Sequence, residues 1–181
     1  SGFSMAVNEV AVKEMIPVIS NISTNPLVTQ DKPNAFRTCF IDPYQGWALA
    51  KLAVEEMKAK TAVLLVDIST DYPVGIANFF RSSWNDMTGE PTSLLGYYSI
   101  MQGDKDFSAQ LTAIKALNPD VIVAPDDYAE VGLIIRQARE MGLTQPILSA
   151  DGCDLPEIAD IAGDAINTGL IFTTHWHEAA Y

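Results

Sequence analysis

Along the chain the apolar residues switch repeatedly between strand-like runs and helix-like stripes. Residues 61–67 (TAVLLVD) form an almost unbroken apolar run of strand length, the pattern of a strand buried on both faces. Beyond the polar stretch 68–71, Ile76, Phe79, Phe80 and Met87 share one helical stripe. Residues 92–100 read as the next strand. Asp106 is placed to cap a helix with apolar positions Phe107, Leu111, Ile114 and Leu117. The unit then repeats: a strand at 121–124, a turn at 125–127, and a helix carrying Val131, Ile134, Ile135, Ala138 and Met141, which Gly142 ends. Residues 146–149 read as a fourth strand, 156–161 as a short helix and 169–174 as a fifth strand. Strands alternating with helices at this spacing predict an α/β fold, a doubly wound Rossmann-like parallel sheet with helices on both faces.

The first part of the chain behaves differently. It predicts a helix at 7–16, a short strand at 17–20, a long loop at 21–34, an extended segment at 35–40 and a helix at 43–58. One helix and one or two strands cannot bury their own apolar faces. Residues 1–42 are therefore expected to be the incomplete edge of another layer, and residues 43–181 the α/β domain proper.

Composition narrows the partners. A chain of 181 residues, 48% hydrophobic, supports one full core and leaves no room for a second domain of ordinary size. The net charge of -12 repels phosphate backbones and anionic lipid, which argues against nucleic acid and membrane surfaces as partners. No run of 18 apolar residues occurs, so no membrane-spanning segment is expected. The start of the chain shows no basic stretch followed by an apolar one, as expected of a mature chain or a fragment. Cys39 and Cys153 lack metal-ligand spacing and are read as free thiols or as one disulfide.

In open parallel sheets, ligands collect beyond the carboxyl ends of the strands. Those ends carry Ser69, Thr70, Asp71 and Tyr72, then Asp126, Asp127 and Tyr128, then Asp151 and Gly152. Any one acidic turn is ordinary, because Asp is common in turns and helix caps; three converging turns suggest a polar binding rim. A dinucleotide site would need Gly-x-Gly-x-x-Gly after the first strand, where this chain has residues 69–75 (STDYPVG), and no Gly-rich loop with Lys occurs. No cofactor is expected. His175 and His177 would lie on one side of the last strand and could hold zinc, but no third ligand is near, so they are read as a polar strand face and no metal is expected. No Gly-x-Ser-x-Gly elbow is present. A phosphoacceptor domain would need Lys after the last strand, where Thr173, Thr174 and His175 stand. With no catalytic constellation, the chain is not expected to be an enzyme.

Several stretches together carry a family likeness: 17–26 (PVISNISTNP), 36–38 (FRT), 42–46 (DPYQG), 103–107 (GDKDF), 134–138 (IIRQA) with Gly142 and Leu143, and 161–164 (IAGD). On these the chain resembles the type I periplasmic binding proteins, specifically the leucine/isoleucine/valine-binding branch that serves ABC importers. Members have two Rossmann-like lobes and about twice this length, so the resemblance implies part of lobe 1, one crossover and most of lobe 2. It also implies capture of an amino acid or a related small polar metabolite, and handover to an ABC permease. The expected location is periplasmic or, with a lipid anchor, at the cell surface. Ser1 matches the serine that holds the ligand carboxylate, with Ser4 nearby. Ile22 matches the position whose carbonyl meets the ammonium, and Thr24 the hydroxyl at the head group. Tyr72 matches the tyrosine that closes over the ligand, and Asp151 the acidic partner of the ammonium, usually Glu. Asp127 stands where an aromatic residue is common, which suits a polar or cationic ligand side chain better than a purely aliphatic one. A ligand-sensing domain of a receptor or regulator is the alternative that the same fold allows.

Overall fold

A computed structural model describes residues 1–177. Its centre is β3 (Ala62–Asp67), in which every residue is buried. β4 (Leu94–Ile100) pairs with it on one side, and β5 (Val121–Val123), β6 (Ile147–Ser149) and β7 (Leu170–Phe172) follow on the other. All pairings are parallel, in the order β4-β3-β5-β6-β7. The pleat of β3 explains its continuous apolar run. Ala62, Leu64 and Val66 enter one core layer and Val63 and Leu65 the opposite one.

Helices cover both faces. On the first lie α2 (Asp42–Lys51), continued by a wider turn at Leu52–Glu56, and α3 (Asp71–Thr88). On the second lie α4 (Ser108–Leu117) and α5 (Tyr128–Glu140), with α6 (Glu157–Ala162) packed on α5. The buried stripe of α3 is Ile76, Ala77, Phe80 and Trp84. Phe79 and Met87, expected on that stripe, sit at its half-buried margin, because the stripe centres on the 76/80/84 row. The Trp84 indole N–H donates to Ser93 Oγ at 2.8 Å, so this large ring is buried without an orphan donor. Asp106 Oδ1 accepts from Ser108 N at 2.9 Å at the start of α4.

Residues before α2 form α1 (Gly2–Lys13) and a two-stranded parallel pair, β1 (Val18–Ser20) with β2 (Ala35–Arg37). α1 begins earlier than the predicted 7–16 and stops at Lys13, where the chain turns through Met15 at φ 53°. The cross-strand partners Ile19 and Phe36 are 70% and 54% exposed, and Phe3 on α1 is 94% exposed. This pair thus leaves an apolar face open.

The predicted strands are trimmed at their ends, most at the last one. β7 ends at Phe172, so His175 and His177 are not on a strand, and the reading of a polar strand face is wrong. After Thr173 the chain leaves the sheet because the Thr173 hydroxyl donates to Gln45 on α2. Both cysteines are free thiols, Cys39 half-buried and Cys153 buried. No described helix is long and apolar enough to cross a membrane.

Candidate functional site

The order β4-β3-β5 reverses direction at β3, so the loops after β3 and β5 diverge and leave a crevice at the carboxyl edge. A cleft of about 950 Å³ opens there. One wall is the start of α1 and the loop after β1; the other is the loops after β3, β5 and β6 with the first turns of α3 and α5. Ser1, Ile22, Thr24, Tyr72, Asp127 and Asp151 all border it. Asp126, expected on the same rim, is instead fully buried behind it, where its Oδ1 accepts from Asp67 N at 2.7 Å.

Each wall is braced from behind. Arg37 on β2 donates to Ser23 O at 3.0 Å, Asn25 O at 2.8 Å and Pro26 O at 3.1 Å, which holds the loop that presents Ile22 and Thr24. Ser1 Oγ accepts from Asn25 N at 3.1 Å, and the Ser4 and Ser23 hydroxyls lie 2.7 Å apart. On the other wall, Asp67 Oδ1 accepts from Ser69 N at 2.8 Å and from Gln102 N at 3.1 Å, tying the loop after β3 to the loop after β4.

The densest network centres on Asp151. Its Oδ1 accepts from Gln45 Nε2 at 2.8 Å and from the Tyr72 hydroxyl at 2.7 Å. Its Oδ2 lies 2.9 Å from His175 Nε2, whose ring stacks on Phe40 with centroids 4.2 Å apart. Because the carboxylate is an acceptor, His175 carries its proton on Nε2 in this contact. Tyr72 in turn accepts from Gly152 N at 2.7 Å. Burial, reinforced by the neighbouring Asp151 charge, holds the Tyr72 phenol well above its ordinary pKa, so it remains a donor. Gln45 on α2, read only as part of the 42–46 stretch, and His175, read as part of a polar strand face, thus orient a residue 106 positions from the first of them.

Beneath Thr24 lies Asp42, fully buried at the start of α2, with Oδ2 receiving no hydrogen bond. Burial raises its carboxyl to about 6, and the Asp151 charge adds to this, while Thr24 and Gln45 pull it back. The native state therefore binds this proton more tightly than the unfolded chain does. The resulting destabilisation grows as pH rises from 3.8 to about 6 and is constant above. Asp42→Asn is expected to raise stability by up to about 3 kcal/mol at pH 7.5 and by less at pH 5. Thermal melts at the two pH values check this; an equal gain at both, or a loss that grows with pH, would refute the assignment.

The Cys153 thiol is buried. Burial pushes its pKa far above the ordinary value, and it contacts Ser149 Oγ at 2.9 Å. Among the described residues no group of three His, Cys, Asp or Glu side chains is arranged to hold a metal ion.

The family profile for periplasmic binding proteins matches residues 1–181. Leu/Ile/Val-binding protein homolog 1 of Brucella abortus (strain 2308) is 34% identical over 92% of this chain and 44% of its own length. An amino acid binding protein of Pseudomonas aeruginosa is 34% identical over 90% of this chain and 43% of its own. Among solved structures, the leucine binding protein LivK from Thermotoga maritima superposes with a TM-score of 0.91 at 42% identity, covering 99% of this chain and 50% of that one. LivJ from Streptococcus pneumoniae, solved with isoleucine, gives 0.86 at 33% identity over 95% and 48%. The chain spans about half the length of the relatives it matches.

Proposed function

Because the chain belongs to the periplasmic binding protein family, we propose that it forms part of an extracytoplasmic solute-binding component of an ABC importer, taking up an amino acid in the cleft between two lobes. The observation that supports this best is the meeting of Ser1, Ile22, Thr24, Tyr72, Asp127 and Asp151 on one cleft. These six residues come from five separate stretches of chain.

The chemistry suits a zwitterion. Hydroxyls of Ser1 and Thr24 face the carboxylate, while the Ile22 carbonyl and Asp151 receive the ammonium. Tyr72 closes over the ligand and keeps Asp151 oriented. Charge-assisted hydrogen bonds of this kind are short and strong once water is excluded. Closure brings the wall with Tyr72, Asp127 and Asp151 down onto a ligand first held by the opposite wall, as in hinge-closing receptors. The loaded protein then presents the solute to an ABC permease. Its location is periplasmic or, with a lipid anchor, at the cell surface. The ligand leaves unchanged, and no turnover is expected.

Isothermal titration of a protein carrying both lobes against a panel of amino acids tests the reading. At least one is expected to bind at about 1 μM or tighter. The 181-residue chain alone is expected to bind no tighter than about 1 mM, because one wall then supplies only part of its contacts. Failure of every amino acid to bind the two-lobe protein would overturn the proposal.

A further inference from the structure

The cleft carries more negative charge than one ammonium needs. Asp71, Asp127, Glu130, Asp151 and Asp154 border it, and no lysine or arginine does. Three of these have ordinary explanations. Asp151 is held by Gln45, Tyr72 and His175; Asp154 accepts from the Thr174 hydroxyl; and Asp71 is solvent-exposed in the first turn of α3.

Asp127 has none, and Glu130 is held through one oxygen only. Asp127 is the N-cap residue of α5, yet its side chain takes no capping hydrogen bond. Its carboxylate turns toward the cleft instead, over Gly152. A Cβ on Gly152 would stand 2.8 Å from Asp127 Oδ1 and 3.0 Å from the Tyr72 hydroxyl oxygen, so only glycine leaves room for both. Glu130, three positions on, does not reach back to the N-cap as it would in a capping box. Its Oε1 accepts from Gly103 N at 2.8 Å, and its Oε2 receives no hydrogen bond among the described residues. Glu130 is only 5% exposed. Residues three apart on a helix are neighbours, so one turn of α5 brings two carboxylates to the cleft with no lysine or arginine side chain to meet them; the positive charge that reaches Asp127 is the ammonium of Ser1. Burial first, and then the Glu130 charge, raise the Asp127 carboxyl above its ordinary value.

We propose that the ligand carries a second cation: a basic amino acid whose side-chain ammonium or guanidinium is received between Asp127 and Glu130. This rests on the amino-acid reading given above and specifies it further. Closure over an aliphatic side chain would strip water from both carboxylates without replacing it, which is strongly unfavourable for a buried unpaired charge. A basic side chain removes that penalty and adds charge-assisted hydrogen bonds, bidentate in the case of a guanidinium. The α-ammonium keeps its place at Asp151, where Oδ2 has room for a further donor beside His175.

The test is calorimetry on a protein with both lobes, using L-lysine, L-ornithine and L-arginine against L-leucine. At least one basic amino acid is expected to bind about 100-fold or more tightly than leucine. Asp127→Asn, nearly isosteric, is expected to weaken that binding about 30-fold or more and to leave leucine no weaker. Asp127→Glu, which restores the charge, is expected to recover most of the preference, a result that a merely structural Asp127 would not produce. Leucine binding tighter than every basic amino acid, with Asp127→Asn without effect on either, would overturn this inference and leave the amino-acid reading standing. Failure of all four ligands to bind would overturn this inference, and failure of every other amino acid as well would overturn the amino-acid reading.

Discussion

Gly46→Ala is expected to destabilise the α/β domain by about 3 kcal/mol. A Cβ at Gly46 would lie 2.6 Å from Phe79 Cβ, 2.6 Å from Phe80 N and 2.7 Å from Phe79 C. Two of those three atoms are backbone, so no rotamer change relieves the overlap and α2 must lift away from α3. That opens the layer in which Leu49, Ala50 and Ala53 pack with Ile76, Ala77, Phe80 and Trp84. The higher helix propensity of alanine returns only about 1 kcal/mol, too little to offset the separation of two packed helices. Urea unfolding reads the result as a lower midpoint with an unchanged slope. Gly2→Ala on α1, which meets nothing within 4 Å, serves as the control and is expected to lose nothing. An unchanged midpoint for Gly46→Ala would mean that α2 and α3 do not approach as closely as described. Because α2 also carries Gln45, the lifted helix would lose its grip on Asp151 as well.

Asp151→Ala is expected to reduce amino-acid affinity of the two-lobe protein by about 300-fold or more. Two losses combine. The ligand ammonium loses its anion, and Gln45, Tyr72 and His175 lose their common acceptor. Donors left unpaired in a closed cleft cost about 1–3 kcal/mol each. Asp151→Asn separates the two effects, since it keeps the shape and removes the charge. Gln45→Leu weakens only the orientation, and a loss of about tenfold is expected from it. Unchanged affinity in Asp151→Ala, measured by titration calorimetry, would remove Asp151 from the site.

The legibility of the fold follows from where its information lies. The run at residues 61–67 and the stripe around Ile76 and Phe80 are local patterns, and both became the buried elements they predict. Element ends were less legible, because tertiary contacts set them. β7 stops at Phe172 rather than residue 174 when Thr173 turns to Gln45. The candidate site was legible as a set of residue types at strand ends and as a family likeness, and its six members do share one cleft. Asp126, chosen by the same strand-end rule as Asp127, points the other way into the core. Adjacent residues leaving a strand face opposite sides, and the side that opens to solvent depends on the neighbouring loops.

By itself, then, the sequence determined the βα alternation, the parallel sheet, the family and the residue types that ring the cleft, because hydrophobic period and short motifs are written in consecutive residues. Only the tertiary structure decided that Gly46 must lack a side chain, that Asp42 is buried without a partner for Oδ2, that Gln45 and His175 orient Asp151, and that Asp127 and Glu130 border a cleft lined by no lysine or arginine. Each of these depends on atoms brought together from distant parts of the chain. Close approach, burial and the balance of charge in a cleft belong to the packed molecule, and no window of neighbouring residues contains them.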